Sequence, residues 1–129
     1  MSARDKMRSS AAQYLRPGEQ IQVVFGAETA SAASQALLMF GALGAMLRVF
    51  LNKYRMLVVT DQRILVLDTG KWNMTTARGV VAELPRATRL GPATGIWHKI
   101  DTGEEKLRVH RRSFKDIAAA DAAVAPVTG

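Results

Sequence analysis

An uncharged window of nineteen residues, from Thr29 to Leu47, constrains this 129-residue chain more than any other feature. Its second half is dense in alanine, leucine and methionine, and the apolar run resumes after Arg48. These residue types favour helix, and the alternation typical of a strand is missing. The large apolar side chains do not share one stripe of a helix, which indicates a helix surrounded by protein or by lipid.

We therefore predict an apolar helical insert over residues 29–51 within a chain that is otherwise rich in strand patterns. As one helix, the stretch from Ala32 to Leu51 would be about 30 Å long, enough to cross the hydrocarbon core of a bilayer. The side chains predicted to enter the membrane are Leu37, Leu38, Met39, Phe40, Leu43, Met46, Leu47, Phe50 and Leu51.

Composition excludes several functions and favours anionic partners. The chain has no cysteine, which excludes disulfides, iron–sulfur clusters and cysteine nucleophiles. Its 18 Lys and Arg against 11 Asp and Glu give a formal charge of +7, which favours anionic membrane lipid or nucleic acid. The two Trp, two Tyr and four Phe are too few and too scattered for a base-stacking surface. Nucleic acid therefore ranks behind membrane lipid.

Residues suited to catalysis or to metal binding are almost absent. His98 and His110 each lie in a strand-like run, and only dispersed carboxylates could complete a metal site around them. Nucleotide-binding glycine motifs and a nucleophile elbow are also missing. We predict no catalytic residue, no metal and no cofactor.

Strand patterns fill much of the remaining sequence. Two β-branched runs, Tyr54–Thr60 and Arg63–Leu67, are separated by two residues, which predicts a tight hairpin. Further strands are predicted at 20–25, around Trp72, at 79–84, 88–90, 96–100 and 106–110. From these eight candidates we expect about seven strands. This pattern is typical of a small barrel or sandwich.

Both ends of the chain have helical patterns. Ser113 followed by Asp116 resembles a capping box and precedes an alanine-rich helix that ends before Pro126. Residues 1–14 are compatible with a helix that places Met7 and Ala11 on one side. No continuous apolar run near the start predicts a secretory signal, so we expect a location in the cytoplasm or at the cytoplasmic side of the cell membrane.

The order of these motifs resembles the bacterial pleckstrin-homology-like family. The closest matches are the opening Leu15-Arg-Pro-Gly-Glu19 and the turn Val59-Thr-Asp-Gln-Arg-Ile64, and a looser match covers 84–91 followed by Trp97. The resemblance implies a small barrel of two near-orthogonal antiparallel sheets, closed by the C-terminal helix. It implies a domain over residues 15–124, with an N-terminal segment over 1–14 and a tail over 125–129. The long apolar insert departs from the family pattern.

The insert and this fold constrain each other. The first two strands belong to one sheet, so the residues on both sides of the insert, near Phe25 and Tyr54, must be neighbours on the same side of any membrane. Three arrangements satisfy this requirement: a re-entrant hairpin bent at Gly41 to Gly44, a helix lying flat at the interface, or packing against the same segment of another subunit.

The sequence as a whole favours a noncatalytic membrane-associated module. We expect the insert to enter the cytoplasmic leaflet and Arg48, Lys53 and Arg55 to contact anionic headgroups. The alternatives are a soluble protein-interaction or homo-oligomerisation module that uses the same apolar helix, and then nucleic-acid binding through the basic surface.

Overall fold

The computed structural model describes residues 2–29, 41–44, 53–70, 75–91, 93, 95–102 and 106–123. A helix, α1, precedes six strands, and a second helix, α2, follows them. The elements are α1 (Ala3–Ala11), β1 (Ile21–Thr29), β2 (Tyr54–Thr60), β3 (Arg63–Gly70), β4 (Gly79–Pro85), β5 (Trp97–Asp101), β6 (Lys106–His110) and α2 (Phe114–Ala122).

The strands form one antiparallel sheet, curled into a half-barrel, in the order β4-β3-β2-β1-β6-β5. The predicted hairpin is confirmed, since Val59 pairs with Ile64 and the register continues along β2 and β3. β1 lies at the centre and pairs with β2 along its length, but its pairing with β6 includes only Glu28 and Thr29 among the described residues. The sheet is therefore continuous at one end of β1 and divided at the other.

Alternation along β1 divides the core into two layers. Phe25 faces a cluster on one side of the sheet that includes Ile117 and Ala120 of α2. Val24 faces the other side, where Met7 and Ala11 of α1 cover it. The predicted apolar side of the N-terminal helix is thus confirmed. Each helix buries one face of the same central strand.

Two local predictions are wrong, and in both a carboxylate of α2 makes a contact with a distant part of the chain that the local pattern does not show. Residues 88–90 do not form a strand, because the backbone N–H groups of Leu90 and Gly91 donate to the carboxylate of Asp121 at 2.9 and 3.0 Å. Ser113 makes no side-chain capping bond to α2, and Asp116 forms an ion pair with Arg4 at 2.8 Å instead.

A capping box that was not predicted lies at Ser2 and Asp5, where each side chain bonds the other residue's backbone N–H at the start of α1.

Other parts of the predicted architecture remain predictions. The strand predicted around Trp72 lies outside the described residues. The seventh strand and the division into two near-orthogonal sheets are not confirmed.

Candidate functional site

The two ends of the apolar insert meet at one end of the sheet. The backbone N–H of Thr29 donates to the carbonyl of Lys53 at 2.8 Å, and the N–H of Lys53 donates to Thr29 Oγ1 at 3.0 Å. One position earlier, Glu28 is in register with Tyr54. The expectation that the flanks of the insert are neighbours is therefore confirmed. β1 extends four residues beyond the predicted Phe25, so the segment outside the paired strands is 30–52.

Two exposed lysines lie at this end of the sheet. Lys53 follows the insert and is exposed. Lys106 is the first residue of β6 and is also exposed; its neighbour Leu107 pairs with Thr29. The lysines therefore flank the end of β1, Lys53 directly before β2 and Lys106 at the start of β6. The place of Lys106 beside β1 could not be predicted, because no local sequence pattern indicates that β6 pairs with β1.

The prediction that Arg55 contacts lipid headgroups is wrong. Arg55 is only 6% exposed, and its Nη1 pairs with Asp68 Oδ1 at 3.0 Å. Its position in β2 directs the guanidinium along the sheet to β3 instead of to the surface. Arg48 lies outside the described residues.

Of the nine apolar side chains assigned to the insert, only Leu43 lies within the described residues. Residues 41–44 are helical, and Leu43 is 64% exposed. Gly41 has a φ of +67°, a left-handed backbone conformation that a continuous right-handed helix does not contain. This dihedral fits a change of chain direction at Gly41. Among the described residues, none of the helices combines the length and apolar character that spanning a bilayer requires.

The motif residues that carried the family resemblance form a buried ionic network. The side chain of Glu19 is fully buried and accepts hydrogen bonds from Arg63 Nε at 3.0 Å and from Thr60 Oγ1 at 2.6 Å. Arg63 also donates to the backbone carbonyl of Tyr14 and to Glu83. These bonds join the loop before β1 to the β2–β3 turn, so the motif has a structural role.

The same bonds set the ionisation of Glu19. The hydrogen bonds from Arg63 are the largest cause that lowers the pKa of Glu19 from 4.5 to about 2, against the opposing effect of burial. The same hydrogen bonds raise the pKa of Arg63, because Glu19 bonds its charged guanidinium. The carboxylate is therefore charged at neutral pH and is held by its partners.

A cleft of about 560 Å³ is lined by β1, by Tyr54 of β2 and by residues of β5, β6 and both helices. Five consecutive residues of β1, 24–28, line one side of it. Arg4 of α1 and Asp116 of α2 also line the cleft, and their ion pair links its two helical walls. The cations Arg112 and Lys115 complete its edge.

An aromatic and ionic cluster forms the remaining wall of the cleft. The guanidinium of Arg108 lies 4.5 Å from the centre of the Trp97 ring and pairs with Glu28 of β1. The ring of His110 contacts Trp97 edge-to-face at 5.0 Å. Trp97 is nevertheless 44% exposed. These contacts hold an aromatic ring beside the cleft while leaving part of its face accessible.

Both histidines have structural partners. The Nδ1 of His110 accepts a hydrogen bond from the backbone N–H of Arg112 at 3.2 Å, and the Nε2 of His98 bonds the carbonyl of Leu90. Within the described ranges, no cluster of three or more His, Asp or Glu side chains could hold a metal ion. The two histidines are not brought together with carboxylates.

No protein-family model, no curated protein and no solved structure matches this chain.

Proposed function

We propose that the protein is a noncatalytic, membrane-associated module that enters the cytoplasmic leaflet through its apolar insert. The observation that carries this proposal is the pairing of Thr29 with Lys53, which brings both ends of the insert to one end of the sheet. A segment that leaves the sheet and returns to it at the same end can enter one leaflet of the membrane without separating β1 from β2. Exposed Leu43 and the left-handed Gly41 support such a hairpin.

Anionic headgroups are the proposed secondary contact. Lys53 and Lys106 lie at the end of the sheet from which the insert leaves, and both are exposed. A basic residue near an anionic surface contributes about 1 kcal/mol to membrane binding. Lys106 therefore replaces Arg55 in the proposal, whereas Lys53 and Arg48 are retained from the sequence analysis.

We also propose that the domain is pleckstrin-homology-like. A four-stranded meander from β1 to β4, a hairpin of β5 and β6, and a C-terminal helix packed on the sheet support this assignment. In this proposal the second sheet would consist of β5, β6 and a further strand. The joint between the sheets would be the short pairing of Glu28 and Thr29 with β6.

The contribution of charge is tested with the double variant Lys53→Gln/Lys106→Gln. We expect the full chain to bind neutral phosphatidylcholine vesicles and to bind vesicles containing phosphatidylglycerol more tightly. Because each lysine contributes about fivefold at 1 kcal/mol, the variant should lose roughly tenfold or more on anionic vesicles and little on neutral ones. Vesicle co-sedimentation at low salt measures both affinities.

The matched control is Lys6→Gln/Lys115→Gln, which removes the same charge from two exposed lysines on the helices. We expect it to change binding to anionic vesicles by less than threefold. An equal loss in both double variants would mean that only net charge matters and would contradict the proposed orientation. Binding to neither vesicle, together with a dimer in analytical ultracentrifugation, would favour the subunit-packing alternative.

A further inference from the structure

The cleft contains an aromatic ring with one covered and one accessible face. The guanidinium of Arg108 lies over the Trp97 ring, 4.5 Å from its centre, and Arg108 is itself only 8% exposed. Trp97 is 44% exposed, so the opposite face and an edge of the ring are left to solvent. Because His110 contacts the ring edge-to-face at 5.0 Å, the ring is held in place without a ligand.

Two cations of the same cleft have no partner in the described part of the chain. The two carboxylates that line the cleft, Glu28 and Asp116, are each paired with an arginine. Arg112 and Lys115 are exposed, and neither side chain is bonded to an acceptor among the described residues. Cations without compensating charge in a concave site attract anions. The cleft is therefore suited to an anionic ligand.

The accessible ring and the two cations lie close together. His110 contacts Trp97 and also accepts, at Nδ1, a hydrogen bond from the backbone N–H of Arg112 at 3.2 Å. One imidazole therefore separates the indole from the backbone of Arg112, and Lys115 follows in the first turn of α2. A ligand that joins a flat aromatic group to an anionic group can contact all three side chains at once.

A nucleotide has both groups in one small molecule. Its base can stack on an aromatic side chain whichever base it is, and its phosphate suits both the fork of an arginine and the point charge of a lysine. The volume of about 560 Å³ lies within the usual range for small-molecule sites. A single base needs only one ring, so the small number of aromatic residues does not count against this site. Recognition by side chains also needs no glycine-rich loop.

We infer that this cleft binds a nucleotide, with the base stacked on the open face of Trp97 and the phosphate bound by Arg112 and Lys115. These contacts use exposed side chains at the edge of the cleft, so the buried floor formed by β1 does not have to open. The cleft also reaches Glu28 and Tyr54 at the insert end of the sheet, where the carboxylate disfavours a phosphate. None of the proposed contacts involves the insert, so the site can be tested without lipid.

The probes are adenosine monophosphate, adenosine and ribose 5-phosphate, measured with the full chain by isothermal titration calorimetry in the absence of lipid. We expect adenosine monophosphate to bind about tenfold more tightly than either fragment, because adenosine lacks the phosphate and ribose 5-phosphate lacks the base. Equally tight binding of ribose 5-phosphate would overturn the proposal and indicate a general phosphate site, such as one for a lipid headgroup. Absence of binding by adenosine monophosphate at millimolar concentration would also overturn it.

The nucleotide could be free or could be the end of a single strand. A 5′-phosphorylated hexamer of deoxyadenosine distinguishes these sources of the same chemistry. An affinity equal to that of the mononucleotide would assign the site to free nucleotides. Binding about tenfold tighter by the hexamer, lost when its 5′-phosphate is removed, would assign it to the end of a strand.

Protein variants locate the two contacts. Trp97→Leu should weaken binding of adenosine monophosphate about tenfold, whereas Trp97→Phe, which keeps a ring, should weaken it less than about threefold. Arg112→Gln/Lys115→Gln should also weaken it about tenfold. The matched control is Lys6→Gln/Arg89→Gln, which removes the same charge from exposed residues outside the cleft lining and should cost less than about threefold. Equal losses in the two double variants would overturn the assignment in favour of nonspecific attraction.

Tryptophan fluorescence gives a readout that charge alone does not move. The chain has two tryptophans, so Trp72→Phe leaves Trp97 as the single emitter. A base stacked on its ring should quench the emission by roughly half or more at saturation, and ribose 5-phosphate should leave it unchanged. Binding of adenosine monophosphate without quenching would overturn the proposed stacking on Trp97.

Discussion

Replacement of residues 30–52 by a two-residue Asn-Gly turn is expected to abolish vesicle binding while leaving a folded, β-rich domain. Thr29 and Lys53 are already hydrogen bonded, so a tight turn can join β1 directly to β2. The excision removes many large apolar side chains, each of which contributes about 1.5 kcal/mol or more when transferred from water to an apolar phase. Co-sedimentation with vesicles and circular dichroism measure the two outcomes.

The bounds of the excision follow from the structure. An excision of 27–51, which a first strand ending near Phe25 as predicted from the sequence would suggest, would also remove Glu28 and leave the buried Arg108 without its carboxylate. A buried charge without a partner is strongly destabilising. The shorter excision of 30–52 retains this pair. A variant that is unfolded or aggregated despite retaining it would mean that the insert belongs to the core.

The variant Glu19→Gln is expected to lower the free energy of unfolding by about 3 kcal/mol. Loss of one partner from a buried ion pair costs about 3–5 kcal/mol, since the remaining charge is desolvated and uncompensated. Here the remaining charge is Arg63, which is bonded by Glu19 at both Nε and Nη2 and would keep only the half-exposed Glu83 as an ionic partner, so we expect the lower end of that range. Urea unfolding followed by circular dichroism measures the change.

The matched control for this variant is Glu83→Gln. Glu83 also pairs with Arg63, at 3.2 Å, but its side chain is 46% exposed, so the contact is screened by water. We expect a loss of less than about 1 kcal/mol from it. Similar losses in the two variants would contradict the assignment of Glu19 as the residue that fixes the loop before β1.

Glu19 also predicts how stability depends on pH. Its pKa is about 2 in the folded protein against 4.5 in an ordinary carboxyl, so its contribution is fully present above about pH 5. That contribution, of about 3 kcal/mol, is lost as the pH falls from 4.5 towards 2. The wild-type protein should lose more stability over this interval than Glu19→Gln. Parallel pH profiles for the two proteins would contradict the lowered pKa.

Local patterns predicted the elements of the fold but not the pairing between distant ones. The hairpin of β2 and β3 was predicted because both strands are β-branched and only two residues separate them. The pairing of β1 with β6 joins residues about 80 positions apart and leaves no local signal. For that reason the place of Lys106 beside β1 and the cleft could not be predicted.

Ionic side chains explain the individual errors. The sequence suggests that Arg55 is a cation flanking the apolar insert. Its partner Asp68, however, lies on the next strand and holds Arg55 in the sheet. Asp116 fits a capping box by spacing, but Arg4 of the other helix binds it. In each case a tertiary ion pair replaces the local or surface role that spacing suggests. The residues on which the family resemblance was based have a structural role, since Glu19 and Arg63 bond each other.

The central claim, that the insert enters lipid, is tested most directly by the depth of a probe at residue 43. Because the chain has no cysteine, Leu43→Cys provides a single labelling site for an environment-sensitive fluorophore. Gln62→Cys provides the control, since Gln62 is exposed in the β2–β3 turn, a strand length of roughly 23 Å from Lys53. Vesicles carrying nitroxide-labelled acyl chains quench probes that reach the hydrocarbon. The account predicts a blue-shifted, strongly quenched probe at position 43 and an unchanged probe at position 62; equal, weak quenching at both positions would contradict it.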